Sequence, residues 1–468
     1  MSSDDIYSIL VLSILLLLIV FVMITRKKRI DFLLIFNFSY IIFFVLIPII
    51  IIISPNLLHY GTPANWAYHF DAYRNNLVSA AIYAFLFYLF FIIIYSLISK
   101  KRFITKGTEK KVSMVNQDIL FVFGIVFLIV GIASFFIYST TMGGPVSAIV
   151  NAQLKRSGVF ETVGVLTFFK HFMRSIYFSL FVFYTTNPNK KIYKSIRGIL
   201  LLISIIFSII VLLAYSGRAN IVILLATVLF YENVLNNKIF TNKGQLFKCF
   251  TFISVFGIIS AFYRPFMLIL SGREIIFYNA GALMSIWTSI VKAFSVPMIS
   301  MMLAIEKFSF NEISMGLGIF QIFIDIIPKS IISPERVYTI NNLNTELFGF
   351  VLDSRNYNIN SGLLAYFYYE FYWAGILLGS TITAIVIKIS DDLIRYLRGN
   401  NTIGIMMVYF LFNLPNRIIA GDQVGGIKSL LILYLEFLLV FVLVKTTKTK
   451  TGSTKNQQAL NKIYEERG

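Results

Sequence analysis

Charged residues are scarce in this chain of 468 residues, and cysteine and histidine are scarcer still. Only 13% of the residues are charged, whereas 57% are hydrophobic. A soluble globular protein of this length exposes far more polar surface, so that class is excluded. The single cysteine, Cys249, rules out an intramolecular disulfide. The three histidines (His59, His69 and His171) lack the spacing of metal ligands, so no metal site is expected.

The N-terminus also lacks the features of a cleavable signal peptide. The chain begins Met-Ser-Ser-Asp-Asp, without a basic region or a small-residue cleavage site. Its first apolar run, 6–25, is followed at once by the basic sequence RKKR at 26–29. This order predicts a first membrane span whose N-terminus lies outside.

Apolar runs of membrane-spanning length separate the charged clusters. About 20 apolar residues span a hydrocarbon core as a helix, and a helix satisfies its own backbone groups in lipid. The sequence therefore predicts an all-α fold, a polytopic membrane helix bundle of about eleven transmembrane helices. The predicted spans are 6–25, 31–53, 78–98, 118–139, 165–185, 199–215, 219–235, 249–269, 363–387, 402–416 and 429–444.

Two further apolar stretches, 281–305 and 313–327, leave the number of spans open. If both crossed the membrane, the count would be about thirteen. Lys292 and Pro297 favour instead an external layer of partly embedded helices. Residues 1–445 then form the membrane domain, with a large external segment at 270–362 between the eighth and ninth main spans. Residues 446–468 form a polar cytoplasmic tail.

The basic residues indicate the orientation. One alternating set of connecting segments carries 26 of the 41 lysines and arginines, whereas the other set carries 13. The positive-inside rule assigns the first set to the cytoplasm, which places the N-terminus outside and the C-terminus in the cytoplasm. The net charge of +19 is thereby explained by orientation and by contact with anionic headgroups. No nucleic-acid partner is needed.

Basic residues of the outward segments are the first candidates for function. Arg218 lies in a tight turn, where it either snorkels to headgroups or binds an anion in an external cavity. Lys155 and Arg156 follow a Gly-Gly-Pro turn and form either a solvated pair or part of an anion site. Lys170 and Arg174 lie four residues apart inside a span. We expect both to project from one helix face and to need carboxylates, phosphate or water nearby.

The long external segment supplies a second group of candidates. Lys329 directly follows a proline, Arg336 lies two positions after another, and asparagine, threonine and aromatic residues come next. This composition suits a site that binds phosphate and sugar hydroxyls together, although interfacial loops contain such residues for ordinary structural reasons. Arg417 and Asp422 close the last external turn, either as a local ion pair or as part of the site.

Three carboxylates are candidates for proton transfer, and their ranking stays open: Asp353, Glu370 and Asp422. Glu370 lies among aromatic residues at membrane depth and must face the protein interior, where the simpler interpretation is a partner for a basic residue on a neighbouring helix. Together the candidates predict several cations at the outer face. They suggest a substrate that is anionic, membrane-bound and presented from outside.

Four stretches of the sequence stand in an order that is typical of one enzyme family. They are GGPVSAIVNAQLKR (143–156), YSGRANIVILLATVLFYENV (215–234), IPKSIISPERVYTINNLNTELFG (327–349) with SGLLAYFYYEFYWAGILLGS (361–380), and NRIIAGD (416–422). On these motifs the chain resembles the oligosaccharide repeat unit polymerases, the Wzy-type O-antigen and capsule polymerases. The third stretch is the most specific. The chain has Pro328-Lys329 where the family usually has Pro-Arg, and Glu335-Arg336 where it usually has Lys-Pro.

This resemblance implies a metal-independent glycosyltransferase of the bacterial inner membrane, without a cofactor. Its substrate would be an undecaprenyl diphosphate-linked oligosaccharide, with the lipid tail in a groove between spans, and a separate protein would regulate chain length. Arg218, Arg336 and Lys329 would stabilise the diphosphate leaving group. Because the chain differs from the family at Lys329 and at Glu335-Arg336, either Lys329 or Arg336 would take the role of the cation that family members have there. Arg156 or Arg417 would assist.

Three other functions fit a membrane protein with outward cations. A flippase or transporter of the lipid-linked glycan should show inverted repeats or broken helices with charges near the midplane. An O-antigen ligase would use another acceptor, and a structural subunit of an export machinery would have no catalysis. The gathering of charges at the outer face and the single long external segment favour the enzyme, and the stretch 327–349 favours the polymerase over the ligase.

Overall fold

The computed structural model describes residues 2–26, 31–59, 65–99, 117–152, 165–215, 282–308, 339–349, 359–397, 401–421 and 431–440, with short pieces at 223–224, 227, 231, 316–318 and 442. Regular structure in these residues is entirely helical. The α-helices are α1 (Ser3–Thr25), α2 (Phe32–Ile41), α3 (Ile47–Ile53), α4 (Asn56–His59), α5 (Asn65–Ala72), α6 (Leu77–Ser99), α7 (Gln117–Thr140), α8 (Pro145–Val150), α9 (Phe169–Phe172), α10 (Ser175–Thr185), α11 (Lys191–Ala214), α12 (Ala282–Lys307), α13 (Ile340–Leu347), α14 (Leu363–Phe371), α15 (Ala374–Leu397), α16 (Asn401–Ile419) and α17 (Leu431–Val440). A π-helical turn (Ile42–Leu46) joins α2 to α3, and 3-10 turns (Arg74–Asn76 and Val165–Phe168) precede α6 and α9.

Six helical stretches of the described part are long and apolar enough to cross a membrane. The all-helical membrane architecture predicted from the sequence is confirmed at this level. The number of spans and the orientation stay predictions, since most of 219–235, 249–269 and 313–327 lies outside the described residues. The membrane-length stretches are Ser3–Thr25, Phe32–Ile53, Arg74–Ser99, Gln117–Thr140, Lys191–Ala214 and Ala374–Leu393.

Large apolar side chains remain exposed along α1 and α11. Leu17 and Phe21 of α1 are 68% and 64% exposed, and Ile199 and Leu202 of α11 are 62% and 58% exposed. Soluble monomers rarely expose such continuous apolar faces, because water makes them costly. In lipid the same apolar faces can stay exposed without that cost. These two helices therefore lie at the periphery of the bundle.

Polar side chains tie α2 to the C-terminal helices within the apolar bundle. The backbone N–H of Phe32 donates a hydrogen bond to Asp391 Oδ1 at 2.7 Å, and the Tyr95 hydroxyl donates to Asp391 Oδ2 at 2.7 Å. Further along α2, Ser39 Oγ donates to Asn416 Oδ1 at 2.7 Å. Asp391 thus joins α2, α6 and α15, and Asn416 joins α2 to α16.

The predicted span 363–387 is wrong, because the chain breaks at Tyr372. This residue has φ 55°, a conformation that favours glycine. A Cβ added to Gly379 of α15 would lie 2.4 Å from the Phe367 ring of α14. In a straight helix these residues, twelve positions apart, would be separated by about 18 Å. The chain therefore folds back, and the membrane-length helix begins only at Ala374.

Glycine at position 375 makes this fold-back possible, since a Cβ there would lie 1.9 Å from the Phe367 carbonyl oxygen. We expect Gly375→Ala to separate α14 from α15 and to cost about 1–3 kcal/mol of unfolding free energy. The measurement is thermal unfolding of the purified protein in detergent. The control is Gly198→Ala in α11, where nothing lies within 4 Å of the added Cβ and helix propensity favours alanine. Equal melting temperatures for the two variants would contradict the fold-back.

The predicted span 165–185 is also interrupted. A 3-10 turn and the short α9 precede a break at Met173 and Arg174, and α10 begins at Ser175. At the break, Tyr177 N–H donates to Arg174 O at 2.9 Å, a bond over three residues instead of four. This tighter pattern is that of a 3-10 turn. The continuous helix that the sequence predicted is therefore absent here, although Met173 and Arg174 keep right-handed helical backbone angles.

The stretch 281–305 forms most of α12, a single helix packed inside the bundle against α3, α5, α6 and α14. Its Phe294 ring lies 4.9 Å from the ring of Phe43, in the middle of the stretch from α2 to α3. Lys292 is only 8% exposed. Whether α12 crosses the membrane or enters it partly stays a prediction.

Candidate functional site

Two basic side chains lie over the ring of one tyrosine at the end of α11. The Nζ of Lys170 is 5.1 Å and the Cζ of Arg174 is 4.4 Å from the centre of the Tyr215 ring. The Tyr215 hydroxyl donates a hydrogen bond to the backbone carbonyl of Lys170. Cations are attracted to the face of an aromatic ring, most strongly where water is excluded. We call Lys170, Arg174 and Tyr215 the cation cluster.

The local backbone explains how these residues meet. Lys170 belongs to α9, and Arg174 stands at the break immediately before α10. Tyr215 follows the last residue of α11, which packs against α10. Met173 and Arg174 keep right-handed helical backbone angles, so Lys170 and Arg174, four positions apart, project to one side. The end of α11 then brings the Tyr215 ring to both cations.

Arg174 is the buried member of the cation cluster, with 3% of its surface exposed. A guanidinium group stays charged in any protein environment, so its burial requires polar surroundings. Tyr177, Tyr215 and Tyr409 lie within electrostatic range of it. A permanent cation bordered by hydroxyl groups can bind an anion with little rearrangement.

Arg417 approaches the same tyrosines from another helix. It lies in the last turn of α16, within electrostatic range of Tyr409 and Tyr434. Tyr409 is also within range of Arg174, and its ring centre is 6.2 Å from that of Tyr177. Lys170, Arg174 and Arg417 therefore gather around one layer of tyrosines where α10 packs against α16.

Sequence reasoning missed several members of this region. The tyrosines were overlooked because aromatic residues are abundant, at 16% of the chain. Glu436 of α17 was also missed, although it is the sole charged residue in the predicted span 429–444. An ionisable residue inside an apolar run is a signal of function that the sequence already carries.

Glu370 lies in a different neighbourhood from the cation cluster. It is fully buried on α14, and its carboxylate lies against Gly318, where the missing Cβ leaves it space. Ile340 of α13 packs on the same glycine. The prediction that Glu370 faces the protein interior is confirmed. Its described neighbours come from the layer around α13 and not from α10.

One amide of α13, that of Asn344, is bonded entirely within the protein. Asn344 Nδ2 donates to Ser300 Oγ at 3.1 Å and to the Ile359 carbonyl at 3.2 Å, and its Oδ1 accepts from the Tyr369 hydroxyl at 3.2 Å. Asn344 is fully buried. Its donors and acceptor already bond to the protein, so this amide holds α13 against α12 and α14.

Comparisons of the chain with protein-family models, with curated proteins and with solved structures found no match. The resemblance carried by the motifs therefore stays a prediction, and the function must be argued from the residues of the site.

The other predicted site residues lie outside the described part of the chain, and their roles stay predictions. Within the described ranges, no three His, Cys, Asp or Glu side chains come together as metal ligands. The predicted residues outside those ranges are Lys155, Arg156, Arg218, Lys329, Arg336, Asp353 and Asp422.

Proposed function

We propose that this protein is a polymerase that joins undecaprenyl diphosphate-linked oligosaccharide repeat units into O-antigen or capsular polysaccharide. The growing glycan leaves its lipid diphosphate and passes to a hydroxyl group of a fresh lipid-linked unit. The observation that carries the proposal is the cation cluster, in which the buried Arg174 and its neighbour Lys170 share the ring of Tyr215.

The cation cluster suits a diphosphate leaving group. Negative charge grows on the leaving oxygen as the bond to the sugar breaks. Fixed cations stabilise that charge more in the transition state than in the ground state, which lowers the barrier. Arg174 offers two parallel donors to a phosphate group, whereas Lys170 supplies a compact charge. Arg218, three residues after Tyr215 in the sequence, and Arg417 would add further positive charge.

Deletion and complementation test this function. A strain without the gene is expected to make glycan of single repeat units, and the gene on a plasmid should restore the ladder of chain lengths. The purified protein in liposomes should lengthen lipid-linked units extracted from the deletion strain. A normally expressed protein that restored no ladder in cells and lengthened nothing in liposomes would contradict the proposal.

A flippase or transporter of the same lipid-linked glycan is the second candidate. The observation that favours it is the pair of interrupted helices, at Met173–Arg174 and at Tyr372–Trp373, because transporters build their sites at such interruptions. The liposome assay separates the two functions. Movement of the lipid-linked unit across the bilayer without lengthening would establish the transporter.

The proposal includes a bacterial inner membrane location with about eleven spans, the N-terminus outside and the C-terminus in the cytoplasm. Because Cys249 is the sole cysteine, Cys249→Ser gives a cysteine-free background. We expect an added Ser2→Cys to react with a membrane-impermeant maleimide in intact spheroplasts, and Ser453→Cys to react only after permeabilisation. The reverse labelling pattern would contradict the orientation.

A further inference from the structure

One buried carboxylate near the cation cluster has no hydrogen-bond partner among the described residues. Glu436 of α17 is 2% exposed, and both of its carboxylate oxygens are buried and unbonded. A carboxylate in such surroundings is costly unless a polar partner reaches it. Structural reasons alone do not explain its presence, since leucine or phenylalanine would pack in the same apolar helix at no such cost.

Packing directs Glu436 toward α10, the helix that begins directly after Arg174. The Tyr434 ring of α17 stacks on Phe410 of α16, with ring centres 4.7 Å apart. On α10, the Ser175 hydroxyl faces the Glu436 carboxylate without closing a hydrogen bond to it. Ser175 is the residue directly after Arg174. The residue that faces the carboxylate is therefore the chain neighbour of the residue that bears the buried guanidinium.

Other polar atoms of α10 and α16 are also buried and unbonded within the described ranges, and two of them lie beside Tyr409. They are Ser175 Oγ, the Tyr177 hydroxyl and Asn413 Oδ1. Buried polar groups are nearly always bonded, so an accumulation of exceptions indicates a place that receives a polar ligand. Together with Glu436, these atoms belong to three helices. Of these, α10 packs against α16, and α16 packs against α17.

The chemistry of these groups differs from that of the cation cluster. Carboxylate and amide oxygens accept hydrogen bonds, and hydroxyl groups both donate and accept. A phosphate group would be repelled by Glu436, whereas an alcohol would satisfy it. These carboxylate, amide and hydroxyl groups therefore suit the hydroxyl groups of a sugar. The cation cluster suits the phosphate that is attached to that sugar.

We infer that Glu436 accepts the proton of the attacking hydroxyl, which rests on the proposed polymerase function. The O–H bond of the acceptor sugar breaks and its proton passes to the Glu436 carboxylate. The acceptor oxygen forms a bond with the anomeric carbon of the donor. The bond from that carbon to the diphosphate oxygen breaks, and its electron pair leaves on the diphosphate beside Arg174.

The test measures lengthening of extracted lipid-linked units by the purified full-length protein in liposomes. We expect Glu436→Gln to lower kcat about 100- to 10000-fold, as loss of a general base does, and to change KM less than about threefold. Glu436→Asp should recover part of kcat. Glutamine has the same shape without the buried charge, so the melting temperature should not fall. The control is Glu306→Gln, since Glu306 is exposed and bonds to Asn76 at 2.8 Å.

Full kcat in Glu436→Gln, or a loss that appears only in KM, would overturn the proton-transfer role while the wild-type protein still lengthens glycan. If the wild-type protein lengthened nothing, the polymerase proposal itself would fail, and the role of Glu436 with it. The two failures are therefore distinguishable in one assay.

Discussion

Arg174→Ala should abolish the ladder of chain lengths in cells and lower kcat/KM in liposomes about 100- to 1000-fold, the loss expected when one fixed donor to a developing oxyanion is removed. The guanidinium is 3% exposed and lies over Tyr215, so no mobile surface cation can replace it. Arg174→Lys should retain part of the activity, because it keeps the charge and loses the planar pair of donors. Lengthening is measured on gels of the extracted glycan.

The matched control for Arg174 is Arg197→Gln in the same pair of helices. Arg197 donates to the backbone carbonyls of Phe183 and Tyr184, at the opposite end of α10 from Arg174. Its loss should leave the ladder intact. A full ladder from a normally expressed Arg174→Ala protein would remove Arg174 from the mechanism. A ladder lost in both variants, with lowered melting temperatures, would indicate a folding defect instead.

Asp391→Leu is expected to destabilise the bundle more than any substitution on its surface. The variant leaves the Phe32 N–H and the Tyr95 hydroxyl without the acceptor that both use, in a position where Asp391 is 1% exposed. Two lost hydrogen bonds to a charged group cost roughly 2–5 kcal/mol of unfolding free energy. The measurement is the apparent melting temperature in detergent together with the amount of protein in the membrane.

Ser390→Ala is the control for Asp391, because the Ser390 hydroxyl bonds only to the Val386 carbonyl of its own helix among the described residues. Asp391→Asn should fall between the two, since an amide keeps one acceptor oxygen. An unchanged melting temperature in Asp391→Leu would mean that α2, α6 and α15 are held together by apolar packing alone.

Three of the membrane-length helices were predictable from the sequence. The runs 6–25, 78–98 and 118–139 correspond to α1 (Ser3–Thr25), α6 (Leu77–Ser99) and α7 (Gln117–Thr140) within a few residues. Each is one continuous apolar run ended by polar or charged residues. Lipid imposes this pattern because a spanning helix needs about 20 apolar residues and bonds its own backbone.

The two helix breaks were not predictable from the sequence. The mean hydropathy of a long apolar run does not show where a helix within that run is interrupted. Neither Met173 nor Tyr372 is a residue that ends helices by itself. The break at Tyr372 depends on Gly375 and Gly379 packing under Phe367, a contact that exists only in the folded protein. Tertiary packing commonly overrides local helix preference in this way.

The site was predictable only in part. The sequence singled out Lys170 and Arg174 and expected their side chains to project together, and both lie over the Tyr215 ring. Their role in binding stays a prediction. The sequence did not predict Tyr215 as their common contact, since it lies 45 residues from Lys170 in the chain and no local pattern connects them. Glu436 could have been found, because a lone carboxylate in an apolar run needs an explanation.

The hydrogen bonds of α2 to the C-terminal helices impose an order on biogenesis. Phe32 is separated from Asp391 by 359 positions, and Ser39 from Asn416 by 377. At ribosomal rates of about 5–20 residues per second, roughly 20–70 s pass before these partners are synthesised. Until then the Phe32 N–H and the Ser39 hydroxyl of α2 lack the acceptors that α15 and α16 later supply. We therefore expect the N-terminal half of this protein to stay with the translocon or an insertase until α15 and α16 are synthesised. Chains released from ribosomes that stall before α15 should be degraded by proteases.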